Sequence, residues 1–196
     1  MAKQVFVGIG GGTGSGKSTI AAEVVRRLRE AYAALDIMLI NQDRFFKPVE
    51  QLPTFYSEFH QGPRPDFNRP DSFRVEEMVA ELTAVSGHDI VILEGILALY
   101  YPQLRQLMGI KCYVETPLEE MLIRRTQRNL ARGYGGPFAE IAHYNLECVT
   151  PQHYRYNHPT KRFADLVIPN GLHEELEREM AVGNLCRLIE ESRVRD

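Results

Sequence analysis

The sequence predicts an α/β fold, a parallel sheet with helices on both faces. Three observations carry this expectation. Short apolar runs alternate with segments of helical period along 196 residues, a glycine cluster joins the first run to the first helix, and neither an internal repeat nor a low-complexity linker breaks the order. A chain of this length has room for one domain with a real core and a small lid.

Residues 4–9 alternate as a strand and lead into seven residues, 10–16, rich in glycine. A helix follows from Lys17, with Ile20, Val24 and Leu28 recurring on one face and Arg26, Arg27 and Glu30 left to solvent. Residues 37–40 read as a short buried strand, 75–82 as helix, and 89–93 as another buried strand. Residues 110–114 continue the sheet, and Thr116-Pro117-Leu118-Glu119 reads as a helix start with Thr116 as N-cap and proline in the first turn. Residues 164–168 form the last expected strand, and a helix covers most of 173–193. Ligands of such sheets gather at the carboxyl ends of the strands. That directs attention to residues 10–19, 41–46, 94–95 and 170–171.

Composition narrows the function classes. With 44% hydrophobic and 25% charged residues the chain is neither disordered nor collagen-like. A net charge of -3 supplies no attraction to nucleic acid or to an anionic membrane, so neither is expected as a partner. No apolar run approaches the roughly 20 residues that span a bilayer. Met1-Ala2-Lys3-Gln4 leads straight into strand, which argues against a signal peptide. Cys112, Cys148 and Cys186 lie far apart and lack zinc-site spacing, and the histidines form no HExxH-type arrangement. A cytoplasmic enzyme is expected, with a homo-oligomer left open.

Gly11-Gly12-Thr13-Gly14-Ser15-Gly16-Lys17-Ser18, followed by Thr19, fits GxxxxGK[ST] with strand before and helix after. This makes the expected fold a P-loop NTPase-type sheet. Glycines let backbone N–H groups turn toward phosphate oxygens, Lys17 reaches the β- and γ-phosphates of ATP or GTP, and Ser18 ligates Mg²⁺. Strand 89–93 delivers Glu94 toward the same metal; the plainer reading of Glu94 is a carboxylate that caps the next helix.

No NKxD base reader and no LSGGQ signature occurs, so guanine switches and transporter ATPases lack support. Instead Asn41-Gln42-Asp43-Arg44-Phe45-Phe46-Lys47-Pro48 follows the second strand. Asp43 can accept a proton from an attacking hydroxyl, or simply shape the turn. Residues 44–73 hold five of the eleven prolines, yet also many aromatics, which disordered linkers lack. They read as an ordered substrate loop in which rings such as Phe46 and Phe67 stack on a flat group and Arg64 or Arg69 binds an anion. Arg125, Arg128 and Arg132 share one helix face and run into Gly133-Tyr134-Gly135-Gly136-Pro137, a hinge for a lid over about 125–145. Residues 153–158 mix aromatic and basic side chains in the manner of some RNA-contacting segments, a reading the net acidity opposes.

Together these stretches resemble the uridine kinase and phosphoribulokinase family, uridine kinases above all. The matching segments are 11–19, 41–47, 67–73 (FNRPDSF), 93–100 (LEGILALY), 124–132 and 159–169 (PTKRFADLVIP). Residues 42–48 also resemble nicotinamide riboside kinases. The resemblance implies Asp43 as general base, Lys17 and Arg125 as further catalytic groups, and Ser18 and Glu94 around Mg²⁺ with Asp43 beside them. Arg128 and Arg132 are implied in triphosphate binding, and Phe46, Arg64, Phe67, Asn68, Arg125 and Tyr134 are assigned to the acceptor. Three departures stand out. The hairpin by which uridine kinases grip the pyrimidine is missing, since residues 85–88 alone make that connection. Asn68 replaces the aspartate that holds ribose, and Tyr134 stands where the family has an arginine that helps to read the base. The expectation is therefore a kinase of a small-molecule hydroxyl, with a ribonucleoside 5′-hydroxyl leading and nicotinamide riboside, another alcohol or a sugar as alternatives. A regulatory ATPase or GTPase without acceptor is the reading from another class. Base recognition is expected to be loose unless residues 53–64 take over the missing grip.

Overall fold

Four consecutive apolar residues leave a strand with no face for water, and the strand that carries Ile90 to Leu93 is flanked on both sides. In the computed structural model, which describes residues 4–194, the elements begin with β1 (Val5–Gly11), α1 (Lys17–Ala31) and β2 (Ile37–Asn41). A hairpin of β3 (Thr54–Ser57) and β4 (Gly62–Pro65) precedes α2 (Val75–Ala84), β5 (Ile90–Gly95), α3 (Pro102–Leu107) and β6 (Ile110–Glu115). Then come α4 (Leu118–Arg132), α5 (Phe138–Tyr144), α6 (Thr150–Gln152), β7 (Leu166–Pro169) and α7 (Glu175–Val194). Residues Met1–Lys3, read above as leading straight into the first strand, lie outside the described residues.

The main sheet is wholly parallel in the order β2-β5-β1-β6-β7. Alternation along each strand divides the core in two. Ile90 and Ile92 of β5, with Val7 and Ile9 of β1, face α1 and α7. Val91 and Leu93 face the other way, onto Met78 and Leu82 of α2, Leu104 of α3, and Phe45 and Phe73 of the long loop. Cys112 is buried in the first layer, where burial pushes its thiol well up and leaves it inert. None of the described helices is long and apolar enough to cross a membrane.

Register sets the geometry of the ligand edge. Glu94 lies opposite Ile9 on one side and Asn41 on the other. The last residues of three neighbouring strands thus converge at one rim, beside the glycine loop.

Four features differ from the sequence expectation or go beyond it. Thr116 is not an N-cap: α4 starts at Leu118 after Pro117, without a side-chain cap. Its buried hydroxyl instead faces the carbonyls of Ser15 (3.0 Å) and Asn170 (3.2 Å). The short α3 carried too few residues to show a period. Residues 138–163 form a nearly continuous helical run that includes π-helical Asn145–Val149 and His153–Asn157. It escapes hydrophobic-period reading because it buries polar side chains, among them Asn145, His153 and Asn157. Asn157 joins Tyr113 Oη (2.8 Å) to the Ile96 carbonyl, so part of the basic-aromatic stretch 153–158 is internal scaffolding. Finally, the proline-rich loop contains the β3–β4 hairpin, whose Pro63 and Pro65 are tolerated because each strand has only one partner.

Truncating a fully buried β5 side chain leaves a cavity that the rigid sheet cannot close. Ile92→Ala is expected to cost about 2–5 kcal/mol, read as a lower urea midpoint with unchanged slope.

Candidate active site

The glycine loop closes tightly because two of its residues adopt left-handed backbone. Gly14 (φ 85°) sits where a Cβ would overlap the Met121 carbonyl, and Gly16 (φ 87°) turns the chain into α1. The Ser15 carbonyl is pinned from outside by Asn170 Nδ2 (2.6 Å) and the Thr116 hydroxyl. Arg178 in turn donates to Asn170 Oδ1 (3.2 Å). The N-terminus of α1 carries no side-chain cap and no acidic residue in its first turn, which leaves its amides and dipole for an anion.

Lys17 opens that helix and is buried. Burial pushes its ammonium pKa down, while the Glu94 and Asp43 carboxylates push it back up. Glu94, only 2% exposed, is pushed up by burial and held down by Lys17. Its Oε1 accepts from the Ser18 hydroxyl (2.9 Å) and from Asn41 Nδ2 (2.7 Å), whereas the buried Oε2 has no partner among the described residues. Asn41 does a second job: its Oδ1 accepts from the Asp43 N–H (2.7 Å) and caps the turn that carries the loop away. Next to it, buried Gln42 takes the Leu97 N–H (2.9 Å), so the following Asp43 is left exposed at the cleft.

A buried carboxylate oxygen without a partner, beside a serine hydroxyl, is the donor set of a hard cation. No three His, Cys, Asp or Glu side chains gather into a metal cage among the described residues. That poverty suits Mg²⁺, which binds through one or two protein oxygens and keeps water and phosphate for the rest.

These groups line a cleft of about 440 Å³, together with Thr13, Phe46, Phe67, Asn68, Tyr134 and the α4 arginines Arg125, Arg128 and Arg132. Arg125 donates to Asn145 Oδ1 (2.6 Å) and lies over the Tyr144 ring; Arg128 reaches Thr13 Oγ1 (3.5 Å) and Asn129 Oδ1 (3.4 Å). Neither guanidinium, nor that of Arg132, has an acidic partner among the described residues. Burial pushes the pKa values of Arg125 and Arg128 down, as expected of cations awaiting an anion. Phe46 stacks on Phe73 (4.3 Å) and meets Phe67 edge-on (5.4 Å), forming an aromatic wall. Arg64 falls outside this cleft, on β4, 3.8 Å from Glu140. Arg69 pairs with Asp71 (2.8 Å) and is not a cleft residue either. The Asn68 amide lies 3.4 Å from Tyr144 Oη, and the nearest carboxylate, Asp66, is fully buried on the Asn68 N–H and Gln152.

Asn41 and Asn170 lie in strand-end segments that the sequence singles out, without a role for either, whereas the parts of Thr116 and Tyr144 in building the site were not expected. Asn41 and Asn170 stand immediately at or after strand ends, which was the available signal. Thr116→Val keeps the shape and removes the hydroxyl, leaving Ser15 O with one donor. The expected outcome is a loss of about 1–2 kcal/mol in unfolding free energy and roughly tenfold weaker nucleotide binding by calorimetry. Unaltered nucleotide affinity would mean that Asn170 alone fixes the loop.

Comparison with known proteins agrees with this geometry. The chain is 32% identical over 216 residues to a uridine kinase of Clostridium botulinum (strain Kyoto / Type A2), covering 97% of this chain and 100% of that one. It is also 32% identical over 213 residues to a uridine kinase of Clostridium perfringens (strain 13 / Type A), covering 96% and 98%. Among solved structures, a shikimate kinase from Bacteroides thetaiotaomicron superposes with a TM-score of 0.55 at 18% identity, over 95% of this chain and 98% of that one, a likeness of fold alone. The profile of the Phosphoribulokinase / Uridine kinase family matches residues 46–177, and the chain belongs to that family of alcohol phosphotransferases.

Proposed function

We propose that the chain transfers the γ-phosphoryl group of ATP or GTP, with Mg²⁺, to a hydroxyl of a small molecule, with the 5′-hydroxyl of a ribonucleoside as the leading acceptor. The observation that carries this is the meeting of Lys17, Glu94 and Asp43 in one cleft with arginines that lack acidic partners. Uridine kinases among the relatives support the nucleoside.

The work of each residue follows from its position. The α1 N-terminus and Lys17 receive the β- and γ-phosphates, and desolvation strengthens that attraction. Bound Mg²⁺, held through Ser18 and Glu94 beside Asp43, neutralises charge on the phosphates. Asp43, exposed at the cleft and fixed through its backbone by Asn41, accepts the proton of the attacking hydroxyl. Arg125 and Arg128, with Arg132 at the rim, hold the transferring group in line and exclude water once the segment from α4 to α5 closes over it. That segment, about 125–145, is the lid of a single domain. Phe46, Phe67 and Tyr134 offer flat faces to the acceptor. Asp43 together with an arginine lid that excludes water disfavours the regulatory ATPase reading. Nothing in the site requires nucleic acid or a membrane, and a cytoplasmic location suits the substrates.

Turnover across nucleosides, nicotinamide riboside, sugars and small alcohols tests the proposal. Lys17→Ala is expected to abolish transfer and weaken nucleotide binding. Asp43→Asn is expected to keep nucleotide affinity and lower kcat by about 10² or more with the best acceptor. A fall of less than threefold would make Asp43 a turn residue, and full activity of Lys17→Ala would remove the nucleotide site itself.

A further inference from the structure

Beside the cleft lies a second cavity of about 230 Å³, continuous with it through Arg125, Asn129, Tyr134 and Tyr144. Its volume is below the ~300–1,000 Å³ of a whole ligand site, so it suits one substituent of a larger molecule. One wall is the β3–β4 hairpin and the other is α5 with the π-helical turn after it.

The two walls are fastened together. Glu147 accepts from Ser57 Oγ (2.5 Å) and the Phe59 N–H (3.0 Å), and Tyr144 Oη donates to the Pro65 carbonyl (3.2 Å). Phe59 stacks on His143 at 4.0 Å with the ring planes nearly parallel. His60 Nε2 lies 2.7 Å from Glu140 Oε2, with Arg64 at 3.8 Å from the same oxygen. The cavity is therefore preformed, and its inner surface combines the rings of Phe55, Tyr134 and Tyr144 with a few polar atoms.

Two of the uncommitted ones lie on α4 and α5. His60 and Arg64 both address Glu140 Oε2, while Oε1 takes no bond from a described residue. Asn129 uses its Oδ1 on Arg128, while its Nδ2, close to Gly135, donates to no described residue. An acceptor atom and a donor atom thus sit among aromatic faces in one small space.

We propose that this cavity reads the end of the acceptor remote from its phosphorylated hydroxyl, and that Glu140 and Asn129 select a flat group bearing an N–H beside a C=O, the edge of a cyclic or primary amide. Glu140 Oε1 accepts from the N–H, Asn129 Nδ2 donates to the carbonyl, and the rings cover the faces. The inference rests on the kinase reading of the cleft. It makes the hairpin at 54–65 this chain's own device for selectivity, in a different place along the chain from the hairpin it lacks, and it revises the expectation of loose recognition.

The test compares uridine with the C-nucleoside in which a phenyl ring replaces uracil, equal in shape but without the amide edge. Wild-type kcat/KM is expected to favour uridine by about 10² or more, since a site built to hydrogen-bond a group rejects the analogue lacking it. Glu140→Gln and Glu140→Leu are each expected to shrink that preference about tenfold, with the phenyl compound changed less than threefold. Nucleotide affinity of each variant reports its folding, and the wild-type ratio stands without either. Equal use of the two compounds, or a preference untouched in both variants, overturns the inference. So does phosphorylation of neither compound when another alcohol is accepted, an outcome that leaves the kinase reading intact. Failure of every alcohol would instead overturn the kinase reading.

Discussion

The structure depends on burying one positive and one negative charge at the same sheet edge. Lys17 and Glu94 are each withdrawn from water, and each opposes the shift that burial imposes on the other. Neither charge would be tolerable there alone, because an uncompensated buried ion costs several kcal/mol. The parallel sheet makes the pairing unavoidable: β1 feeds the loop that carries Lys17, β5 ends in Glu94, and the two strands are hydrogen-bonded neighbours. Even so the compensation is incomplete, since one Glu94 oxygen stays without a protein partner. Stability is given up at the place where the proposed function puts a cation and a triphosphate.

Around this pair the polar network works by fixing positions. Asn41 touches both the Glu94 carboxylate and the Asp43 backbone, so it sets Asp43, the proposed base, relative to Glu94, the proposed metal ligand. Thr116 and Asn170, from loops on the far side of the glycine loop, hold the Ser15 carbonyl and thereby the curvature of the loop. Arg125, Arg128 and Arg132 of α4 complete the enclosure with positive charge that lacks acidic partners among the described residues. Together these contacts prepare the site for negative charge before any ligand arrives, which is how a phosphoryl-transfer site lowers its barrier.

Much of this was legible in the residues. A continuous apolar run identifies β5, the glycine-lysine-serine pattern marks the loop, and Asp43 and Glu94 stand out as carboxylates at or just past strand ends. What escaped has a common physical cause. Residues 138–163 bury asparagine and histidine in π-helical turns, and no hydrophobic period announces such packing. Thr116 carries every local sign of a helix cap, yet the carbonyls of Ser15 and Asn170, both distant in sequence, compete for its hydroxyl. Arg64 was expected in the acceptor site from its surroundings, whereas the hairpin turns it toward Glu140 in the adjoining cavity. The hairpin itself is hidden by its prolines, and its closure depends on Glu147, about 90 residues downstream.

The central claim is that the buried pair, the base and the arginines act together on an alcohol and keep water out. Single-turnover reaction with γ-labelled nucleotide and a saturating acceptor tests it most directly, following label into phosphorylated alcohol and into inorganic phosphate. The account predicts that nearly all label reaches the alcohol and that omission of the acceptor leaves the nucleotide largely intact. Label released as inorganic phosphate at the same rate with or without an alcohol would contradict it.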